Sequence, residues 1–214
     1  MTEDEIRELE NQLSCPSGKK GIEVGENLNE SNFDMTLSTI HFLELIDNNL
    51  VLELGHGNCR HLEKLLESAK DIKYYGLEIS KTMWEEAQKI NPNLQADFKI
   101  YDGEKIPFPN DFFDKIMSVN TIYFWSNPKV LINEIERTLK PNGVCVLTYA
   151  NKEFMKKLPF VRSKFKLFDE KSIEKLIELS NLKIIEFKDI TKQVKSKVGE
   201  LVERKYTMVK VKKQ

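Results

Sequence analysis

Three carboxylates and a pair of glycines carry the chemistry this chain can do. The stretch VLELGHGNC, residues 51–59, closes an apolar run with Glu53, Gly55 and Gly57, and Glu78 and Asp102 end or follow two later apolar runs. Glycines at such a point let the backbone turn tightly and come close to a ligand. A carboxylate at a strand end can accept both hydroxyl hydrogens of a ribose, and a second one can accept from the exocyclic amine of adenine. The dinucleotide fingerprint G-x-G-x-x-G needs a third glycine where this chain has Arg60, and a pyrophosphate would lie beside Glu53. A nucleoside-bearing ligand of cationic character suits these acidic groups better, with NAD as the alternative.

Elements of alternating type must hold these residues in place. LVLEL, KYYGLEI, ADFKI, DKIMSV and GVCVLTY are short runs rich in apolar, β-branched and aromatic residues, and helix-forming stretches or turns separate most of them. LKIIEFKDI and LVERKYTMVKV follow close enough together to pair as a hairpin, with a lysine-rich connection between them. The pattern predicts an α/β fold: a seven-stranded, mostly parallel sheet with helices on both faces and an antiparallel C-terminal hairpin. Neighbouring strands stand ~4.8 Å apart, so Glu53, Glu78 and Asp102 on successive strand tips would span roughly 10 Å, about a ribose and its base.

Helix signals frame the sheet. Thr2 and Glu5 fit a capping box ahead of Ile6, Leu9 and Leu13, Ser80 can cap the helix through Trp84, and Asn127 precedes Pro128 at a favoured first helical position. FDMTLSTIHFLELI reads as a helix, the polar segment from Ile22 to Asn32 as a helix or an ordered loop, and KPNG as a turn returning the chain to the sheet. These boundaries divide the chain into an N-terminal helical extension, 1–48, and a ligand-binding domain, 49–214.

At 214 residues, 31% charged and with a formal net charge of −1, the chain shows no global attraction for nucleic acid or anionic membrane. No apolar run approaches the ~20 residues of a membrane span and the first thirty residues lack a signal-peptide core, which places the protein in the cytoplasm. Cys15, Cys59 and Cys145 are scattered, and His41, His56 and His61 make no H-E-x-x-H pairing, so neither a disulfide framework nor a metal site is expected. His56 reads as a backbone contributor to the loop and His61 as surface or structural.

VLELGHGNC, YYGLEIS, YDGEKIPFPNDFFDKIMSVNTIYFW and IERTLKPNGVCVLTY together resemble the successive motifs of class I S-adenosylmethionine-dependent methyltransferases. The likeness is to the ubiquinone/menaquinone-biosynthesis and small-molecule group, and it covers about residues 50–150. CPSGKKGIEVGENLNESN is similar to the leading segment of a bacterial branch of that family. The resemblance implies S-adenosyl-L-methionine as cofactor, with Glu53, Gly55 and Gly57 flanking its methionine part and Glu78, followed by Ile79, at its ribose. It also implies that Asp102 and the Gly103 amide face adenine and that Asn120 lies near the methionine amino group. Cys59 departs from the family pattern, which commonly has a third glycine there.

NTIYFW, residues 120–125, keeps the spacing of Asn and aromatic found in methyltransferases of base amino groups, but Thr121 and Ile122 replace both prolines of N-P-P-Y and no basic patch accompanies them. A small-molecule methyl acceptor is therefore expected, with nucleic acid disfavoured, no membrane partner and the oligomeric state left open. Tyr123 and Trp125 are placed beside the acceptor, and Asn29, Asn32 and Met35 in a lid formed by the N-terminal helices. A non-catalytic protein using the same fold to bind a regulatory ligand is the remaining alternative.

Overall fold

In the computed structural model, which describes residues 2–195 and 201–214, the apolar runs become seven strands of one sheet. They are β1 (Leu50–Leu54), β2 (Lys73–Glu78), β3 (Ala96–Ile100), β4 (Phe113–Val119), β5 (Leu139–Ala150), β6 (Leu182–Lys195) and β7 (Leu201–Lys213). Their order is β3-β2-β1-β4-β5-β7-β6, parallel through β5, with β7 antiparallel to both its neighbours. The Rossmann-like sheet with its C-terminal hairpin is thus the one the sequence pattern predicts. The middle of the lysine-rich connection, 196–200, lies outside the described residues.

Period-two alternation sends neighbouring residues of each strand to opposite faces. Val51, Tyr74, Met117 and Val146 pack on one face beneath α2 (Gly18–Leu43), α3 (Leu62–Leu66) and α4 (Lys81–Ile90). Leu52, Leu54, Ile116, Cys145 and Leu147 pack on the other beneath α5 (Pro128–Thr138) and α7 (Glu170–Ile177). The remaining helices are α1 (Glu3–Ser14) and the short α6 (Lys152–Met155). The predicted caps form: Thr2 and Glu5 bond reciprocally, the Met83 amide donates to Ser80 Oγ at 3.1 Å, and the Val130 amide donates to Asn127 Oδ1 at 3.3 Å.

Two local expectations change. The segment from Ile22 to Asn32, legible only as a helix or a loop, is the first half of α2, a single 26-residue helix that ends where Glu44 turns left-handed at φ 53°. Its polar character has a physical reason. Only its second half, with Met35, Ile40, Phe42 and Leu43, enters the core, while the first half lies against α4 and a cavity. KPNG does not stand as a separate turn either. β5 runs through it with a shift of register, Phe113 facing Leu139 but Lys115 facing Val144, and Asn142 absorbs the irregularity at φ 66°.

The strand order fixes where a ligand can sit. From β1 the chain builds outward to β2 and β3, then returns to place β4 on the other side of β1, so the crevice opens at the tips of β1 and β4. Beyond Ala150, the last β5 residue paired with β7, the β6–β7 hairpin continues alone at this same end. From that extension Arg204 donates to the Ser31 carbonyl and the Asp34 carboxylate of α2. Among the described residues no helix is long and apolar enough to cross a membrane.

Because Leu43 is fully buried against the sheet, Leu43→Ala is expected to lower the unfolding free energy by about 2–5 kcal/mol. Urea titration checks this, and a loss below 1 kcal/mol would show that the end of α2 is not part of the core.

Candidate functional site

The three tips converge on one cavity of about 610 Å³, within the ~300–1,000 Å³ usual for small-molecule sites. Glu53, Gly55 and Gly57 from the end of β1, Glu78 and Ile79 from β2, Asp102 and Gly103 after β3, and Asn120 after β4 all line it. So do Asn29, Asn32 and Met35 from α2, and Tyr123 and Trp125 from the turn that follows Asn120. Every residue expected at the site from the sequence borders this cavity.

Backbone geometry explains the residue types on the rim. Gly55, Gly57 and Gly103 have φ of 75°, 57° and 82°, a left-handed region that side chains disfavour. A Cβ on Gly55 would stand 2.4 Å from Thr121 Cγ2, whereas at Gly57 nothing lies within 4 Å, leaving open space over the loop for a ligand. Cys59 and Asn120 adopt the same region at φ 52° and 57°. Cys59 therefore occupies the third-glycine position with a glycine-like backbone, at a cost of about 1–2 kcal/mol.

Glu78 is 5% exposed and its carboxylate is held by backbone amides. Oε1 accepts from Ile79 at 2.8 Å and Ser80 at 2.9 Å, and Oε2 accepts from Gly57 at 3.0 Å. A carboxylate offers about four lone-pair sites, so roughly one remains for a hydroxyl while Gly57 keeps its bond. Asp102 serves the turn expected of Asp-Gly: its Oδ1 accepts from the Glu104 and Lys105 amides, both at 2.8 Å. The Lys105 and Glu104 bonds hold its carboxyl below the ordinary value.

At the tip of β4, Asn120 Oδ1 accepts from the Tyr123 hydroxyl at 2.9 Å and from the Ala150 amide at 3.2 Å, and its Nδ2 points to Met35 Sδ at 3.4 Å. The Tyr123 hydroxyl also receives the Ala150 amide hydrogen. Burial drives Tyr123 far above the ordinary phenol range, so it cannot serve as a proton acceptor near neutral pH. Tyr123 and Trp125 are 2% and 5% exposed, Trp125 donating to Thr121 Oγ1 at 3.0 Å. Phe124 is the more open of the three aromatics.

Sequence reasoning missed the floor beneath the glycine loop. His61, expected at the surface or in a structural role, is 4% exposed, and its Nε2 meets Glu53 Oε2 at 2.7 Å. The Tyr74 hydroxyl donates to that same oxygen at 2.6 Å and lies 3.2 Å from Cys59 Sγ. Burial pushes the Glu53 carboxyl up, but the His61 charge and the His61 and Tyr74 hydrogen bonds outweigh it and leave the group below its ordinary value. For His61 burial works downward, and Glu53, followed by Cys59, reverses it to well above the ordinary imidazole value. Glu53, Cys59 and His61 bring three metal-ligand atoms within 4.8 Å of one another, yet each already has a partner inside this hydrogen-bonded group. His56 packs on Phe98 with ring centroids 4.9 Å apart, its Nδ1 2.7 Å from the Gly57 carbonyl, and burial lowers it so that it stays neutral.

The other unforeseen part is a wall of Leu9 and Leu13 from α1, Phe154 from α6, and Leu158, Phe160 and Phe165 from the irregular segment that follows it.

Comparison with known proteins agrees with this geometry. A methyltransferase-domain family model matches residues 52–147. The uncharacterized methyltransferase YdaC of Bacillus subtilis is 30% identical over 118 residues, 54% of this chain and 64% of that protein. The fatty-acid O-methyltransferase of Mycolicibacterium smegmatis is 24% identical over 136 residues, 63% of this chain and 49% of its own length. The chain thus spans less than two thirds of these curated relatives. In fold it superposes on a Haloferax volcanii methyltransferase solved with the Trm112 activator, at TM-score 0.75 and 15% identity over 96% of both chains. It also superposes on the YcgJ protein of Bacillus subtilis, at TM-score 0.68 and 16% identity over 85% of this chain and 99% of that one.

The chain carries a class I S-adenosylmethionine-dependent methyltransferase domain. Its cofactor is S-adenosyl-L-methionine, and the cavity suits that group: open space above Gly57, a free acceptor site on Glu78 and a Glu53 Oε1 to which no described residue donates.

The two loop glycines of the methyltransferase domain make unequal demands. Gly57→Ala adds a left-handed penalty of about 1–2 kcal/mol, while Gly55→Ala adds the Thr121 contact to a similar penalty. Denaturant unfolding is expected to rank Gly55→Ala as the more destabilised variant, and the reverse order would contradict this loop geometry.

Proposed function

We propose that this domain methylates a small molecule whose body is apolar. One observation carries the reading: the cavity is lined by two chemically different sets of groups, a floor of carboxylates and left-handed backbone at the strand tips and a wall of leucine and phenylalanine side chains. The floor suits the adenosyl and methionine parts of the cofactor, and the wall suits an acceptor recognised mainly by desolvation. The Mycolicibacterium smegmatis relative, named for fatty acids, and a 2-methyl-6-phytyl-1,4-hydroquinone methyltransferase of Arabidopsis thaliana, 27% identical over 97 residues, are named for acceptors of this kind. A near-zero net charge supports a small molecule over nucleic acid.

When bound, the cofactor supplies a methyl group on a sulfonium, open to in-line attack by a nucleophile. The residues of this chain then have to align and shield. Glu78 anchors the ribose, Asp102 and the Gly103 amide face adenine, and Asn120 limits the methionine end. Phe124 and the wall from Phe154 to Phe165 hold the acceptor and exclude water, and alignment of this kind can account for ~7–11 kcal/mol of barrier reduction. No side chain in the cavity is needed as a general base if the acceptor arrives as an anion, since charge is then lost on the way to the transition state and an apolar wall favours that loss.

The lid in this reading consists of α1 and the first half of α2, with Asn29 and Asn32 facing the cavity. Its boundary falls before residue 35, because Met35 is fully buried in the core.

Two measurements test the reading. Glu78→Gln is expected to weaken S-adenosylmethionine binding about 10–100-fold by calorimetry, the equivalent of one hydrogen bond to a charged group; an unchanged dissociation constant refutes the ribose role. Removal of residues 1–15 is expected to keep donor binding within about threefold yet lower release of S-adenosylhomocysteine at least tenfold with long-chain carboxylates or quinols as acceptors. Full turnover in the truncated protein would remove α1 from the acceptor site, and turnover confined to polar acceptors would refute the apolar class.

A further inference from the structure

Both protein donors to the buried Glu53 carboxylate choose the same oxygen. His61 Nε2 and the Tyr74 hydroxyl lie 2.7 and 2.6 Å from Oε2, no described residue donates to Oε1, and Glu53 borders the cavity. We propose that His61 and Tyr74 are positioning residues that lock this carboxylate so that Oε1 receives the ammonium end of the donor. The inference rests on the reading of the cavity as an S-adenosylmethionine site.

The surrounding structure has been shaped to make that lock. Glu53 faces Gly76 on β2, where a side chain would collide with the His56 ring at 2.6 Å, and Tyr74, two residues earlier on the same face, reaches along the strand to the carboxylate. The loop then turns at Cys59, whose left-handed backbone brings His61 back over β1 at the head of α3. A histidine with only a packing role would not need its ring nitrogen aimed at a fully buried carboxylate. A lone carboxylate in this position would take up a proton, because burial disfavours its charged form. With an imidazolium beside it the carboxylate stays ionised, and the pair as a whole is neutral.

The titratable groups facing Glu53 are few. His61 and Cys59 approach from the loop and α3, Tyr74 from β2 and His56 from the glycine loop, while Glu78 bears on His56. Cys59 and Tyr74 are raised by burial and keep their protons through pH 7.5, while burial lowers His56 and favours its neutral form. An α-ammonium of pKa about 7.7–8.0 is fully charged at pH 5.5 and 6.5 and still more than half charged at pH 7.5, so the ligand's own titration alters apparent affinity less than about twofold from pH 5.5 to 7.5. The sign for a His61→Gln variant follows. Without the imidazolium the folded-state pKa of Glu53 rises, the carboxylate is protonated at the acid end of the window, and donor affinity recovers as pH climbs.

Calorimetry with S-adenosylmethionine at pH 5.5, 6.5 and 7.5 tests this. The wild-type dissociation constant is expected to change less than twofold. His61→Gln is expected to bind about tenfold more weakly at pH 7.5 and at least a further fivefold more weakly at pH 5.5. The Glu53→Gln/His61→Gln double variant should bind weakly without pH dependence, and Tyr74→Phe should show a smaller loss than His61→Gln. A His61→Gln profile as flat as the wild type overturns the proposal, whatever its absolute affinity. Nitrogen NMR of the wild-type imidazole provides a check that needs no folded variant: His61 must be doubly protonated at pH 7.5, and a neutral ring overturns the lock. Absence of any wild-type affinity for S-adenosylmethionine would instead defeat the underlying donor reading.

Discussion

A carboxylate buried at the tip of β1 is the constraint from which the site is built. Glu53 is 2% exposed, and an uncompensated charge there would cost several kcal/mol. Compensation has to come from three directions that sequence keeps apart: β2 contributes Tyr74 through parallel register, the loop contributes a left-handed Cys59, and His61 stands at the cap before α3. Moving any one of them leaves a buried charge without its partner, a change that typically costs about 3–5 kcal/mol. The open space above Gly57 and the backbone bond from Gly57 to Glu78 depend on that same loop path. Floor and rim are therefore a single construction.

The helices divide the work differently. α2 has a second half that is indispensable to the sheet and a first half that does little for the core. The two halves share one backbone, so a ligand contact at Asn29 or Asn32 is referenced to strands through Met35 and Leu43. Arg204, bonded to Ser31 and Asp34 from the hairpin extension, ties that same helix to the far side of the sheet. A rigid frame on both sides of an apolar wall allows the wall itself, much of it irregular chain between β5 and α7, to change in sequence while the donor floor stays fixed.

Legibility followed locality. The strand tips could be read because each one combines a short apolar run with a carboxylate or glycine immediately after it, and a parallel sheet converts such endings into one crevice. The capping residues Thr2, Ser80 and Asn127 were equally readable, each acting within four residues of itself. His61 was not, since eight residues separate it from Glu53 and neither a helical nor a strand period connects them. The same holds for Phe154, Leu158, Phe160 and Phe165, which no repeat marks as one surface, and for Ile22 to Asn32, whose helix lacks the apolar face that core contact would have written into it. Cys59 was visible only as a departure from the glycine pattern, and its φ of 52° shows that the position makes a glycine-like backbone demand although its residue is a cysteine.

The charge arrangement says how such a floor can bind a cation without depending on it. Glu78 is satisfied by three amides, Asp102 by two and Glu53 by an imidazolium and a phenol, so every carboxylate of the floor is stabilised inside the protein before a ligand arrives. Preorganised groups of this kind need little rearrangement on binding, which reduces the free-energy cost of association. Each also retains unused acceptor capacity, directional but modest, because its charge is already shared. A floor with bare carboxylates would hold a cationic donor more strongly and would itself be hard to fold. Compensated carboxylates would grip by hydrogen-bond direction more than by net charge. For a domain that must release a spent donor after every transfer, that balance favours turnover over tightness of binding.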